Sequence, residues 1–307
     1  MKILVATEKP FAPTAVSDIR DIVEKAGYQF LLLEKYTDKT QLLDAVKDVD
    51  ALIVRSDKVT AEVIDAAKNL KIVVRAGAGY DNVDLAAANA RKIVVMNTPG
   101  QNSNAVAELA LGMMIYMARN QFNPGTGSEI SKKRLGIHAY GHIGAILGRY
   151  GNALDMKVYA YSRSIAQKKL ALPQGINGVE SVEQLYGQSD YLSIHVPVNE
   201  QTKKSIGYDL LSKLPKGAVI INTARKEVID EAGLLKVMEE RTDLKYATDV
   251  KPDNYDELVA KCGNRVFATP KKMGAETKEA NINAGLAAAR QAVGYLKDGD
   301  TTFQVNK

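Results

Sequence analysis

The sequence predicts an α/β protein built from two doubly wound parallel-sheet domains. Three observations lead there. Short runs rich in Val, Ile and Leu alternate with helical patterns along almost the whole chain, as strand–helix–strand units require. The alternation comes as two series, parted by a long apolar helix and a loop rich in Gly, Pro, Ser and Asn over Asn120–Lys133. The chain has 307 residues, which suits two domains of ordinary size and buries a core without staples.

In the first series the expected strands are Ile3–Ala6, Phe30–Leu33, Ala51–Val54, Ile72–Val74 and Ile93–Met96. A helix is expected over Thr60–Leu70, with Thr60 as its cap and Val63, Ile64 and Ala67 as its apolar stripe. The apolar helix Ser103–Arg119 follows. The second series has strands at Leu135–His138, Val158–Tyr161, Tyr191–Ile194, Ala218–Ile221, Tyr246–Thr248 and Val266–Ala268. The last helix, Thr277–Lys297, is too long for a connector and is expected to return to the first domain, making that domain discontinuous.

Bulk composition excludes several function classes. Apolar residues make up 46% and charged residues 25%, a globular balance. The net charge of +5 is scattered and not interleaved with aromatics, so no nucleic-acid partner is expected. No apolar run approaches the ~18 residues of a membrane span, so no membrane partner is expected either. Charged Glu8 and Lys9 follow the first strand too closely for a secretory h-region, and Cys262 is the one cysteine. A cytoplasmic setting is therefore expected, and no metal site.

The second series opens on Leu135-Gly-Ile-His-Ala-Tyr-Gly-His-Ile-Gly144, a strand, a tight turn and a helix start. It approximates the G-x-G-x-x-G dinucleotide fingerprint, with Ala139 in the first glycine position and Gly141 and Gly144 in the others. Gly141 lets the backbone approach a pyrophosphate, Gly144 lets the helix pack close, and Ala139 fits if its φ is negative. His142 and Ile143 start the helix. The next strand should end on an acidic residue for the ribose 2′-hydroxyl, and ends instead on Ser162-Arg163-Ser164. That trio suits a 2′-phosphate, which favours NADP(H) with NAD(H) as the alternative; a surface arginine in a loop is the other reading.

The order of further motifs resembles the D-2-hydroxyacid dehydrogenases over nearly the whole length. These motifs are Val74-Arg-Ala-Gly-Ala-Gly-Tyr-Asp-Asn-Val-Asp84, Asn97-Thr-Pro-Gly-Gln-Asn102, Ala107-Glu108-Leu109, His195-Val-Pro197, Asn222-Thr-Ala-Arg225, Thr248-Asp249-Val250 and Thr269-Pro270. The chain most resembles the short phosphoglycerate dehydrogenases without a regulatory domain. The resemblance implies a Rossmann-type dinucleotide domain over 99–277 and a flavodoxin-like substrate domain over 1–98 and 278–307. It implies a homodimer acting on a small anionic 2-hydroxy or 2-keto acid, foremost 3-phosphoglycerate and its keto form in serine biosynthesis. It adds His195, Val196, Pro197, Thr202, Thr223, Ala224 and Gly274 to the cofactor side, and Asn102 to the substrate side.

Elementary chemistry supports several positions independently. Gly77, Ala78 and Gly79 follow a strand, and their backbone N–H groups suit a carboxylate. Arg55-Ser56 and Arg75 end strands and can hold substrate anions or form surface ion pairs. Arg225 can grip a carboxylate and polarise the C2 oxygen. Asp249 can accept from the nicotinamide carboxamide or cap a helix.

The family pattern breaks at its acid–base pair. The expected Glu lies about five residues beyond Asp249, where Asn254 stands; Asp253, Asp256 and Glu257 nearby read as capping or solvated residues. The expected His falls on Lys271 counting from Pro270, or on Lys272 counting back from Gly274; the glycine pins the turn, which favours Lys272. His138, His142 and His195 read as structural. A lysine can donate a proton during reduction; to act as base it needs its reference value of about 10.4 lowered, by burial and by Arg225. Two other functions are weighed: a glyoxylate or hydroxypyruvate reductase, and a dinucleotide-sensing protein without catalysis.

Overall fold

The computed structural model describes residues 1–306. In chain order the first elements are β1 (Lys2–Thr7), α1 (Pro13–Lys25), β2 (Gln29–Glu34), α2 (Lys39–Ala45), β3 (Ala51–Val54), α3 (Ala61–Ala66), β4 (Ile72–Arg75), α4 (Leu85–Ala90) and β5 (Val94–Asn97). Next come α5 (Ser103–Ala118), β6 (Arg134–His138), α6 (His142–Ala153), β7 (Lys157–Tyr161), α7 (Arg163–Ala166), β8 (Ile176–Gly178), α8 (Val182–Gly187) and β9 (Tyr191–Ile194). The rest are α9 (Tyr208–Leu211), β10 (Val219–Asn222), α10 (Glu231–Glu240), β11 (Lys245–Thr248), α11 (Tyr255–Cys262), β12 (Val266–Ala268) and α12 (Lys278–Asp298). The chain divides into two compact units, Met1–Asn102 with Ala275–Lys307, and Ser103–Gly274.

The first unit is a parallel sheet in the order β2-β1-β3-β4-β5. Every side chain of β3 is fully buried, because helices cover both faces of the sheet. Alternate residues therefore feed two cores. Ile3, Val5, Ile53 and Val74 pack with Ile19 of α1 and Ala288 of α12. Leu4, Ala6, Leu52 and Val73 pack with Leu42, Val63 and Ala88 from α2, α3 and α4. α12 begins where the Thr277 hydroxyl accepts from Ala280 N and ends on Gly299 at φ +70, a left-handed cap.

The second unit is a seven-stranded parallel sheet, β12-β11-β10-β9-β6-β7-β8. One face carries α5 and α6 through Ala107, Met114 and Leu147; the other carries α8, α10 and α11 through Leu185, Leu234 and Leu258. In both sheets the strand order reverses beside the first strand: between β1 and β3, and between β6 and β9. Loops at the carboxyl ends of strands part there, which leaves a crevice for ligands.

Three local expectations fail. β8 is absent from the sequence reading, since three residues carry too little periodicity to register. α3 stops at Ala66 rather than Leu70, because buried Ala67 turns out of the helix at ψ +82. The Thr60 hydroxyl makes no cap bond and lies buried without a partner, leaving Glu62 to complement the amino end of α3. Among the described residues, no helix is long and apolar enough to cross a membrane.

α1 and α12 meet closely because Gly285 lacks a side chain: a Cβ there would lie 2.9 Å from Ile19 Cδ1 and 3.0 Å from Phe11 Cε1. Gly285→Leu is expected to cost about 1–3 kcal/mol through overpacking. A urea midpoint equal to wild type would contradict that packing.

Candidate active site

The loops after β6, β7 and β9 line one cavity of about 430 Å3 at the switch point of the larger sheet. Gly141, Ser162, Arg163, Ser164, Val196, Pro197 and Thr202 are among its walls, so seven of the fifteen expected cofactor residues come together there. Gly141 caps α6 at its amino end, and a Cβ there would meet nothing within 4 Å. That open space above the first N–H groups of a helix fits a pyrophosphate. Gly144 has the opposite reason: a Cβ would lie 2.7 Å from Ala139 O and 2.8 Å from Ile137 Cγ2, so only glycine lets α6 sit on β6. His142 and Ile143 open α6 beside the cavity without lining it.

Ala139 departs from expectation. Its φ is +77, in the left-handed region, not negative. Its N–H donates to Tyr161 O at 2.9 Å, which carries the ladder between β6 and β7 one residue past the strands and holds the turn in the conformation a glycine would take freely.

At the ribose end, Ser162 caps α7, its hydroxyl accepting from Ile165 N. Arg163 donates through Nη1 to Gln201 Oε1 at 3.1 Å, so its guanidinium is held beside the cavity. The sequence reading missed Gln201, which touches Arg163 only through the fold. The loop beyond Pro197 is self-braced: Asn199 Oδ1 accepts from the N–H groups of Gln201 and Thr202, and Thr202 Oγ1 donates to Pro197 O at 2.6 Å.

Two histidines lie under this turn. His138 Nδ1 meets Tyr186 Oη at 3.0 Å, and His195 Nε2 meets Ser193 Oγ at 3.0 Å. Burial pulls His138 down to about 4; burial, with His138 nearby, pulls His195 down to about 3. Both are neutral at pH 7. His195 Nδ1 is buried without a hydrogen-bond partner. His138 lines the cavity and His195 does not, so His195 supports the site from below.

The turn after β10 is pinned by an amide. Asn222 is fully buried; its Oδ1 accepts from Ala224 N at 3.0 Å and its Nδ2 donates to Arg225 O at 3.1 Å. This side-chain bridge, an Asx-type turn, fixes the backbone from which Arg225 projects. Thr223 Oγ1 is buried without a partner.

Asp249, expected on the cofactor side, is 1% exposed and engaged by its own chain. Its Oδ1 accepts from Thr269 Oγ1 and Met273 N, both at 2.8 Å, and its Oδ2 accepts from Gly274 N at 2.7 Å. It thereby clamps the turn that carries Lys271 and Lys272. Both lysines are exposed, so burial by surrounding residues does not supply the desolvation expected of an acid–base lysine. Asn254, in the place of the family's glutamate, donates from its N–H to the Glu231 carboxylate at 3.1 Å and from Nδ2 to Glu231 O at 3.2 Å, tying α11 to α10. Asp253 pairs with Lys226 at 2.5 Å.

In the first unit, Arg55, Ser56, Arg75, Gly77 and Asn102 line one small pocket of about 50 Å3, together with residues of the start of α12. Gly77 serves a different purpose from the expected one. Its N–H donates to Arg75 O at 2.9 Å, and its φ is +152. A Cβ there would fall 1.4 Å from Arg75 Nη1, so the glycine makes room for the guanidinium to lie across it. Arg75 Nε donates to Arg55 O at 2.9 Å. Ala78 and Gly79 stand outside the pocket, and Ala78 O accepts from Asn97 Nδ2.

Two outcomes are expected. Ala139→Gly should hold or raise stability, while Ala139→Val should lower it by about 1–2 kcal/mol, since a branched side chain at positive φ is strained; calorimetry showing the reverse order would overturn the reading of the turn. The two neutral histidines should make the fold acid-sensitive. They take up protons more readily when unfolded, near pH 6.5, so the stability tied to them is complete above that value and is lost as pH falls toward about 4. Urea midpoints between pH 7.5 and 4.5 should fall in wild type and fall less in His138→Gln/His195→Gln.

Residues 6–306 match the family model described as D-isomer specific 2-hydroxyacid dehydrogenase, catalytic domain. A hydroxypyruvate reductase of Thermotoga maritima is 35% identical over 87% of this chain and 94% of its own. A D-3-phosphoglycerate dehydrogenase of Methanocaldococcus jannaschii is 35% identical over 84% of this chain but only 52% of its own, so the chain spans about half the length of that relative. The crystal structure of a 3-phosphoglycerate dehydrogenase with bound NAD+ from Entamoeba histolytica has a TM-score of 0.87 and 48% identity, covering 100% of this chain and 99% of that one. With this fold, this glycine turn and these matches, the chain belongs to the D-isomer specific 2-hydroxyacid dehydrogenases, oxidoreductases that work with a nicotinamide cofactor.

Proposed function

We propose that the chain interconverts 3-phosphoglycerate and 3-phosphohydroxypyruvate, the first oxidation of serine biosynthesis. The observation that carries this reading is the 50 Å3 pocket with Arg55 and Arg75 in its wall, two permanent cations that outnumber the one carboxylate there, Glu276, and so leave net positive charge for one oxyanion group. The similarity to the E. histolytica enzyme over the whole chain supports it. When bound, the nicotinamide supplies or takes up the hydride at C2. Gly141 and the first N–H groups of α6 would hold the pyrophosphate, and Thr223 and Ala224 would hold the nicotinamide end. Arg225 binds the substrate carboxylate and draws electron density from the C2 oxygen. Lys272, with Lys271 as the alternative, gives that oxygen its proton in reduction, and removes it in oxidation once bound substrate and cofactor supply the desolvation that the exposed lysine lacks. Arg55, Ser56, Arg75 and Asn102 hold the phosphate end.

The ribose end suits NADP(H), because Ser162-Arg163-Ser164 offers a cation and hydroxyls in place of a carboxylate. NAD(H) is the alternative, supported by the E. histolytica relative described with NAD+.

A second reading, reduction of unphosphorylated hydroxypyruvate, is favoured by the T. maritima relative matched across 94% of its length. Steady-state rates with phosphohydroxypyruvate, hydroxypyruvate and glyoxylate, each against NADH and NADPH, decide between the two. The primary reading expects a strong preference for the phosphorylated acid that Arg75→Ala removes; equal rates on both hydroxypyruvates would establish the second reading instead. Arg225→Ala should lower kcat/KM by about 100- to 1,000-fold on any of these acids, and a loss below tenfold would remove Arg225 from its role. Arg163→Ala should raise the KM for NADPH more than that for NADH.

A further inference from the structure

Arg55 is held on three sides. Its Nη1 donates to Lys9 O at 3.1 Å and Pro10 O at 3.3 Å, and its guanidinium carbon lies 5.2 Å from the centre of the Phe11 ring. Its Nη2 donates to Asn281 Oδ1 at 2.5 Å. Lys9, Pro10 and Phe11 are neighbours in the β1–α1 loop, but Asn281 is 226 residues away, on the opening turn of α12. Asn281 N donates to Thr277 O at 3.1 Å, so the helix fixes its backbone. The same residue lines the small pocket together with Arg55 and Arg75.

We propose that Asn281 determines specificity for a phosphorylated substrate, by fixing the Arg55 fork through Oδ1 and presenting its Nδ2 amide to the bound oxyanion. The inference rests on the phosphorylated-substrate reading given above. An amide is the side chain that does both things. Its oxygen takes one guanidinium donor, which sets the plane of the fork, and its nitrogen remains a donor for an anion. A carboxylate of the same shape would also accept from Arg55, but it would cancel the cation and repel the phosphate. A guanidinium left to rotate loses the orientation that makes it a better phosphate ligand than a lysine. Asn281 is a positioning and binding residue: the hydride and proton steps do not pass through it, so its loss falls on KM for the phosphorylated acid rather than on kcat.

The test compares KM and kcat for phosphohydroxypyruvate and for hydroxypyruvate in wild type, Asn281→Ala and Asn281→Asp, with melting temperatures as the folding control. Expected are a rise in KM for the phosphorylated acid of about tenfold in Asn281→Ala and about a hundredfold in Asn281→Asp. The KM for hydroxypyruvate should change less than about threefold in either. If Asn281→Ala folds poorly, the isosteric Asn281→Asp carries the test alone. A wild type that prefers the phosphorylated acid, with variants that keep the wild-type KM ratio, overturns the role of Asn281 and leaves the substrate reading standing. An equal rise for both acids overturns it as well, because that is what a general disturbance of the pocket would give. A wild type without phosphate preference overturns the substrate reading and this inference together.

Discussion

The second unit is organised around one buried carboxylate. Asp249 follows β11 at 1% exposure, and three donors from a single turn, Thr269 Oγ1, Met273 N and Gly274 N, meet its oxygens. A carboxylate this deep is tolerable only when its lone pairs are satisfied, and breaking such a set costs several kcal/mol. The turn is therefore as fixed as the strand that carries Asp249. Gly274 belongs to the same constraint, since a Cβ there would stand 2.8 Å from Asp249 Oδ2. The two lysines between Pro270 and Met273 owe their place to this clamp. An expected cofactor contact is thus first of all the foundation of the lysine turn.

The same logic of short local braces under a functional backbone recurs at each site. Asn222 staples the turn before Arg225. Asn199 and Thr202 brace the loop after His195. Gly77 yields its side-chain volume to Arg75. In every case the sheet brings the segment to the carboxyl edge of the strands, and an amide, carboxylate or glycine, buried at Asn222, Asp249 and Gly77 and exposed at Asn199, then fixes its last few degrees of freedom. The fold class alone would place loops at these edges; the braces decide which atoms those loops present.

What could be read from the sequence follows from how local each signal is. β1, β3 and β4 were legible because strands buried on both faces are continuous apolar runs, as over Ile3–Ala6, Ala51–Val54 and Ile72–Val74. The glycine turn was legible because it sits next to a strand end in a fixed motif; Arg225 and the lysine pair were singled out as candidates from their places after strand ends. Short-range conformation was less so. Ala139 takes φ +77 because Tyr161 O, 22 residues on, holds its N–H, and nothing in the Ala-Tyr-Gly string announces it. β8 is too short to show a period. Contacts made by the fold were not legible at all: Gln201 meets Arg163 from 38 residues away, and Asn281 meets Arg55 from 226 away. Asp249 was found by its motif, but its use by the Thr269–Gly274 turn is a tertiary fact.

The central claim is that a lysine from the clamped turn handles the proton on the C2 oxygen. A general acid for reduction must be protonated, so the rate of keto-acid reduction falls as pH rises through that group's pKa. Histidine has a reference value about four units below that of lysine. The direct measurement is the pH profile of kcat/KM for reduction in wild type, Lys272→His and Lys271→His. The account predicts that Lys272→His stays active with the high-pH fall displaced toward neutrality, while Lys271→His keeps the wild-type profile. Wild-type profiles in both variants would contradict it.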